Sequence, residues 1–365
     1  MKIELSKNAL IAIIVVFVGL GAFTVYIDRK GENDSKEFVE EAKREAENQL
    51  ANQNNSDGTS KKGSGLDKLR QGVEEEEAKK KAEAQKPQEE ETDPYEELNE
   101  LIGLGSVKKE VMELANFVNV QNERRKQGMK TPKMSYHLVF TGNPGTGKTT
   151  VARIIARIYK DLGILKKGHL VETDRAGLVG SYVGQTAPKT NHICDSALGG
   201  VLFIDEAYSL TPEHGDSYGE EAVSTLLKRM EDDRENLVVI VAGYNKEMKR
   251  FIESNPGLQS RFTRYIDFPD YSASELVGIY KMYMKKNTYE LTADGEQKLI
   301  EKLNYAVAHK DRNFGNARYV RNIFEKSAQF QANRIAQVSS PTTQQLKEIT
   351  GDDIEKAFAS VKTSM

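Results

Sequence analysis

The stretch Gly142-Asn143-Pro144-Gly145-Thr146-Gly147-Lys148-Thr149 satisfies the phosphate-loop pattern G-x-x-x-x-G-K-[ST] at every required position. Tyr136 to Phe140, just before it, read as a short buried strand. Thr150 to Tyr159, just after it, place Val151, Ile154, Ile155 and Ile158 on one helical face. Strand, glycine-rich loop and helix in that order make a cradle for phosphate. Glycine lets backbone N–H groups turn inward, and the helix N-terminus favours an anion. Lys148 would reach the β- and γ-phosphates and the Thr149 hydroxyl would ligate Mg²⁺. Residues Gly142 to Thr150 are therefore expected to hold a nucleoside triphosphate, with ATP and Mg²⁺ as cofactors.

The chemistry around that loop is readable further on. Val201-Leu202-Phe203-Ile204-Asp205-Glu206 is an apolar strand ending in two acids, the Walker B arrangement. Ligands of open α/β sheets sit at the carboxyl ends of strands. Asp205 is expected to hold Mg²⁺ and Glu206 to orient and polarise the attacking water. Leu237 to Ala242 form another strand, and Asn245 just beyond it is the candidate to reach the γ-phosphate or its water. Without a phosphate loop, Asn245 would read as a turn residue. Leu170-Val171-Glu172 and Tyr265 to Phe268 complete a set of strands alternating with helices, which indicates a parallel three-layer α/β sheet. Between the second strand and a helix through Cys194 lies Gly180-Ser181-Tyr182-Val183-Gly184, an exposed glycine-flanked loop with an aromatic tip.

Upstream, Leu101-Ile102-Gly103-Leu104 is an apolar patch broken by glycine. A helix carrying Val107, Val111, Leu114 and Val118 follows, and Glu123 to Pro132 read as a polar loop. Downstream of Pro269 the pattern becomes all-helical. Ser272-Ala273-Ser274-Glu275 is a capping box, and further helices are expected near Ala293–Tyr305, Ala317–Val338 and Asp352–Val361. Gly315-Asn316-Ala317-Arg318 puts an arginine in the first turn of a helix. A cation there opposes the dipole, which suggests an anionic partner, although a solvated arginine fits too and Arg321 lies one turn on.

The N-terminal part has another character. Residues 9–27 carry no charge and, at 1.5 Å per residue, span about 28 Å, close to the thickness of a bilayer core. The run is long for a cleaved signal and lacks a clear small-x-small site, so it reads as one uncleaved transmembrane helix. More basic residues follow it than precede it, which favours a cytoplasmic C-terminal side. Residues 28–93 are too poor in apolar side chains for a core and read as a charged, partly helical or disordered tether. The expected domains are thus a tail at 1–8, the membrane helix at 9–27, the tether at 28–93, an α/β ATPase domain at 94–270 and a helical lid at 271–365. A net charge of −3 gives no field for nucleic acid. The one cysteine, Cys194, excludes an internal disulfide, and the five histidines show no ligand spacing for zinc.

The ordered set of phosphate loop, aromatic loop, Val201–Glu206, Asn245, Ser260-Arg261-Phe262 and Gly315–Arg318 resembles the AAA+ ATPases. The strings Gly180 to Thr190, Asn255 to Leu258 and Ile266 to Tyr271 are similar to the CbbX group, which includes red-type rubisco activase and stage V sporulation protein K. The resemblance covers roughly residues 95 to 365. It implies a ring, expected to be a homo-hexamer, with ATP between subunits. It also implies Asn245 as sensor 1, Arg261 as the finger reaching the neighbour's ATP (Arg264 being a second candidate) and Arg318 as sensor 2. By the same resemblance Tyr182 grips a substrate polypeptide, and Ile102 and Gly103 pack the adenine. Three functions fit: a membrane-tethered motor that remodels or threads a protein, a nucleotide-dependent membrane scaffold, and a rubisco-activase-like remodeller. Lys148, Glu206 and Arg261 favour hydrolysis, since a scaffold needs only binding.

Overall fold

The computed structural model describes residues 92–132, 134–211 and 217–361. The expected tail, membrane helix and nearly all of the tether lie outside the described residues. Among those described, no helix is long and apolar enough to cross a membrane.

A short helix α1 (Pro94–Glu100) and a long helix α2 (Gly105–Lys126) lead to strand β1 (Leu138–Gly142) and helix α3 (Lys148–Asp161). Then come β2 (Leu170–Thr173), α4 (Arg175–Leu178), α5 (Thr186–Ser196) and β3 (Val201–Ile204). Next are α6 (Ser217–Asp232), β4 (Val238–Gly243), α7 (Asn245–Glu253), α8 (Pro256–Arg261) and β5 (Arg264–Phe268). The strands form one parallel sheet in the order β2-β3-β4-β1-β5. Continuous burial of Leu138, Val139 and Phe140, of Val201 to Ile204 and of Val238 to Ala242 is what a sheet covered on both faces demands. On one face Phe140, Phe203, Ile240 and Ala242 pack with α1, α2 and α3. On the other, Val139, Leu202, Ile204, Val239 and Val241 pack with α5 through α8. The expected three layers are present. β1 lies between β4 and β5, so the connection from β1 crosses to the far edge of the sheet and later strands return. The crevice at the carboxyl end of β1 is where such a sheet takes a ligand.

The C-terminal part contains α9 (Ala273–Lys286), β6 (Glu290–Leu291), α10 (Ala293–Ala308), α11 (Asn316–Ile335), α12 (Thr343–Lys347), β7 (Glu348–Ile349) and α13 (Gly351–Ser360). The capping box at Ser272 and Glu275 is formed, and Thr342 and Thr350 open α12 and α13 in the same way. The Phe324 ring lies within 6 Å of the rings of Tyr280, Tyr283 and Tyr289. Its apolar cluster runs without a break into the α3 face of the sheet.

Two expectations are corrected. The lid is not all-helical, because Glu290–Leu291 and Glu348–Ile349 pair as parallel strands. Glu123 to Lys126 are helical rather than loop, since Arg124, Arg125 and Lys126 complement the dipole at the C-terminus of α2.

His137 precedes β1 and is 4% exposed. Its Nδ1 accepts from the Val239 N–H at 2.9 Å. Burial pulls its pKa from 6.5 to about 4. Between those two values the unfolded chain binds a proton that the folded chain refuses. Stability from this group is therefore complete above pH 6.5 and lost as the pH falls toward 4, a change of about 3 kcal/mol. Denaturant midpoints at pH 7 and pH 4.5 are expected to fall further for the unmodified protein than for His137→Gln, which keeps an acceptor for Val239. Equal falls would show that His137 is not the titrating group.

Candidate functional site

The phosphate loop closes the carboxyl end of β1 with three glycines at positive φ: Gly142 at 142°, Gly145 at 70° and Gly147 at 96°. A Cβ on Gly142 would lie 2.3 Å from the Phe268 carbonyl oxygen, and one on Gly145 would lie 2.3 Å from that of Gly315. No other residue type fits the loop as it stands. Lys148 opens α3 and folds its ammonium back onto the carbonyls of Gly142 and Asn143, each at 2.8 Å. Burial pulls its pKa below the ordinary lysine range. The Asp205 and Glu206 carboxylates oppose that shift and the Arg318 guanidinium adds to it. A half-buried cation whose hydrogen-bond partners are carbonyls, set in a glycine cradle at a helix N-terminus, fits a polyphosphate. Thr149 and Thr150 follow in the first turn of α3.

Asp205 and Glu206 leave β3 next to this loop. The Asp205 Oδ1 accepts the Glu206 N–H at 3.0 Å, and Glu206 has φ 48°, a left-handed backbone that turns the chain sharply at the strand end. Asn245 begins α7, but its carboxamide is turned to the edge of the sheet. Its Nδ2 donates to Asp267 Oδ1 at 2.8 Å, an oxygen that also accepts from the Thr141 hydroxyl at 2.9 Å. The aromatic neighbours of Glu206 are Tyr208 and Tyr244, whose ring centroids are 6.1 Å apart. Burial first, and the Glu206 carboxylate second, push Tyr208 up to about 12 and raise Tyr244. Neither tyrosine was singled out from the sequence. The signal for Tyr244 was its place directly behind an apolar strand; Tyr208 gives none, because it is reached by a turn after Glu206.

The lid meets the phosphate loop through α11. The Ala317 N–H donates to the Gly145 carbonyl at 3.1 Å, and Arg318, next in the chain, electrostatically faces Lys148. Arg321 instead forms an i,i+4 pair with Glu325 at 2.8 Å on the surface, so Arg318 is the arginine directed at the site. Ile102 and Gly103 lie between loop and lid. Ile102 touches the Gly278 position of α9, Gly103 abuts Glu275, and Leu104 approaches Gly147. These three residues therefore flank the junction of phosphate loop and lid. The sequence missed the hinge: Asp270, Tyr271, Lys310 and Asn316 join the two parts by a polar network, buried at Tyr271 and Asn316 and open to solvent at Lys310. Their only advance sign was the unusual polar pair Asp270 and Asn316 beside glycine and proline.

Arg261 is elsewhere. It ends α8 and precedes β5, at the amino ends of the strands. β1 and β5 pair from Leu138 with Arg264 to Gly142 with Phe268. That paired length alone is roughly 13 Å, so the sheet separates Arg261 from the phosphate loop of its own chain. The Arg261 guanidinium lies 3.4 Å from Glu231, while Arg264 is held over the Phe117 ring at 5.8 Å. Tyr182 and Val183 are 72% and 86% exposed in the loop before α5. The sheet and hinge thus gather Gly142–Thr150, Asp205, Glu206, Arg318 and the Ile102–Gly103 segment. Asn245 sits at the rim, and Arg261 and Tyr182 are on other surfaces.

Comparison with known proteins agrees with this geometry. The family model described as "ATPase family associated with various cellular activities (AAA)" matches residues 138–270, and that of an "AAA lid domain" matches 272–364. Stage V sporulation protein K of Bacillus subtilis is 42% identical over 71% of this chain and 80% of its own length. A CfxQ homologue of Galdieria sulphuraria is 45% identical over 71% of the chain and 85% of its own. A chloroplastic ribulose bisphosphate carboxylase/oxygenase activase of Cyanidioschyzon merolae is 46% identical over 65% and 80%. Among solved structures the FIGL-1 AAA domain superposes with a TM-score of 0.53 at 17% identity, over 73% of this chain and 84% of that one, a likeness of fold.

Proposed function

The chain belongs to the AAA ATPases and is an ATP hydrolase, and from that premise we propose that it is a membrane-anchored, homo-hexameric ring that pulls on a protein. One observation carries the ring. Arg261, the candidate finger, lies at the opposite end of the sheet from its own phosphate loop, which supports a role at a neighbouring subunit's nucleotide.

In this reading Gly142–Thr150 and Lys148 bind the triphosphate, Ile102 and Gly103 pack its base, and Thr149 and Asp205 hold Mg²⁺. Bound ATP would supply the phosphoanhydride bond that is broken, and Mg²⁺ would offset part of the phosphate charge. Glu206 orients and polarises the attacking water, and Asn245 turns from Asp267 to sense the γ-phosphate. Arg318 contacts it from the lid and the neighbour's Arg261 stabilises charge in the transition state. Tyr182 offers a flat apolar face with a polar tip, suited to gripping any polypeptide. Residues 9–27 anchor the assembly with the ATPase on the cytoplasmic side. Alkaline carbonate is expected to leave the full chain in the membrane pellet, and its release would contradict the anchor.

The pulling role is tested with a photo-crosslinking amino acid at position 182 in a Glu206→Gln background, where hydrolysis is slow and the gripping state is held. ATP-dependent adducts with other proteins are expected, while Tyr182→Ala alone keeps ATP turnover within about twofold. Adducts confined to the chain's own domain, or loss of ATP binding in Tyr182→Ala, would mean that the tyrosine is structural.

A further inference from the structure

Every residue from Asn143 to Thr146 in the phosphate loop is held from outside. The Asn143 carboxamide donates to Asp270 Oδ1 at 2.9 Å. The Pro144 carbonyl faces Asn316 Nδ2 at 3.4 Å, the Gly145 carbonyl accepts from the Ala317 N–H at 3.1 Å, and the Thr146 carbonyl accepts from the Tyr271 hydroxyl at 3.3 Å. All four partners belong to the hinge or the lid. A trans peptide points its N–H opposite to its C=O, and the described residues contain no cis bond. Carbonyls held outward at Pro144, Gly145 and Thr146 therefore turn the N–H groups of Gly145, Thr146 and Gly147 inward, the orientation that binds phosphate.

One carboxylate ties these anchors together. Asp270 Oδ1 accepts from Asn143 and, at 2.8 Å, from Asn316, while Oδ2 accepts from Lys310 at 2.6 Å. Asn316 is fully buried, sits at φ 47°, and returns its own Oδ1 to the Tyr271 N–H at 3.0 Å. Asparagine tolerates that left-handed backbone better than most residues. The Asp270 carboxyl is held below the ordinary aspartate range by its Lys310, Asn316 and Asn143 hydrogen bonds, which outweigh its burial.

We infer that Asp270 is a positioning residue for nucleotide binding, which through Asn143, Asn316 and Lys310 holds the phosphate loop in its anion-binding shape only while the lid is docked. Lid movement then loosens the grip on phosphate, and phosphate strengthens lid docking. This goes beyond the ring motor, since it concerns contacts within one subunit, and the two can fail separately.

The test measures equilibrium binding of a fluorescent ATP analogue and hydrogen exchange of the segment 310–320 with and without ATP, on the full chain. Asp270→Asn and Asn316→Gly, the latter free of left-handed strain, are each expected to weaken binding at least about tenfold. Each also loses the ATP-induced protection of 310–320, while the protection of β4 without ATP stays as in the unmodified protein. The double variant is expected to be no weaker than either single one, as befits two members of one network. Lys310→Arg, which keeps the ion pair, stays within about threefold. Additive losses, unchanged ATP-induced protection, or loss of β4 protection in both single variants would overturn the inference.

Discussion

The structure depends on a close approach of backbone to backbone at the phosphate loop. Gly142 passes under the Phe268 carbonyl of β5 and Gly145 under the Gly315 carbonyl of the lid, each with no room for a side chain. Lys148 is pressed into the same space with its charge turned to two loop carbonyls. A cradle of this kind sets a half-buried cation and inward N–H groups where phosphate oxygens would meet them. The buried sheet exists to keep that loop and the Asp205-Glu206 turn side by side.

In the proposed ring the same sheet leaves each chain's site incomplete. Its carboxyl ends carry the loop, the Walker B acids and the lid contact, while its amino ends carry Arg261. A lone chain can bind a triphosphate with what it has. In the proposed ring, the cation that would meet charge growing in the transition state comes from another copy, which would link assembly to hydrolysis. The lid shares an apolar cluster with one sheet face, and the hinge and lid hydrogen-bond the loop.

Much of this was legible in the sequence because the signals are local. Fixed glycine spacing, an apolar run ending in Asp205-Glu206, and the Ser272–Glu275 capping box each declare themselves within about ten residues. Strand positions were readable to within two residues, since buried parallel strands are continuous apolar runs. What escaped is long-range. Nothing near Asn245 says that its carboxamide will face Asp267, 22 residues on, rather than the γ-phosphate position. Glu290–Leu291 and Glu348–Ile349 are too short to show a period. Asp270 and Asn316 look like turn residues until the fold brings them 2.8 Å apart. Residues 9–27 remain a reading of sequence, outside the described structure.

In the proposed ring, one subunit's Glu206 and another's Arg261 serve a single ATP. Arg261→Ala and Glu206→Gln chains are each expected to bind ATP and turn it over poorly, the finger contributing roughly 10³–10⁵ in rate in related systems. Mixed in verified joint assemblies, they create interfaces that pair an intact Glu206 with an intact Arg261. Steady-state ATP turnover of the mixture should then rise well above that of either parent and fall again as one parent is taken to excess. Turnover that stays at the weighted mean of the two parents would contradict a shared site.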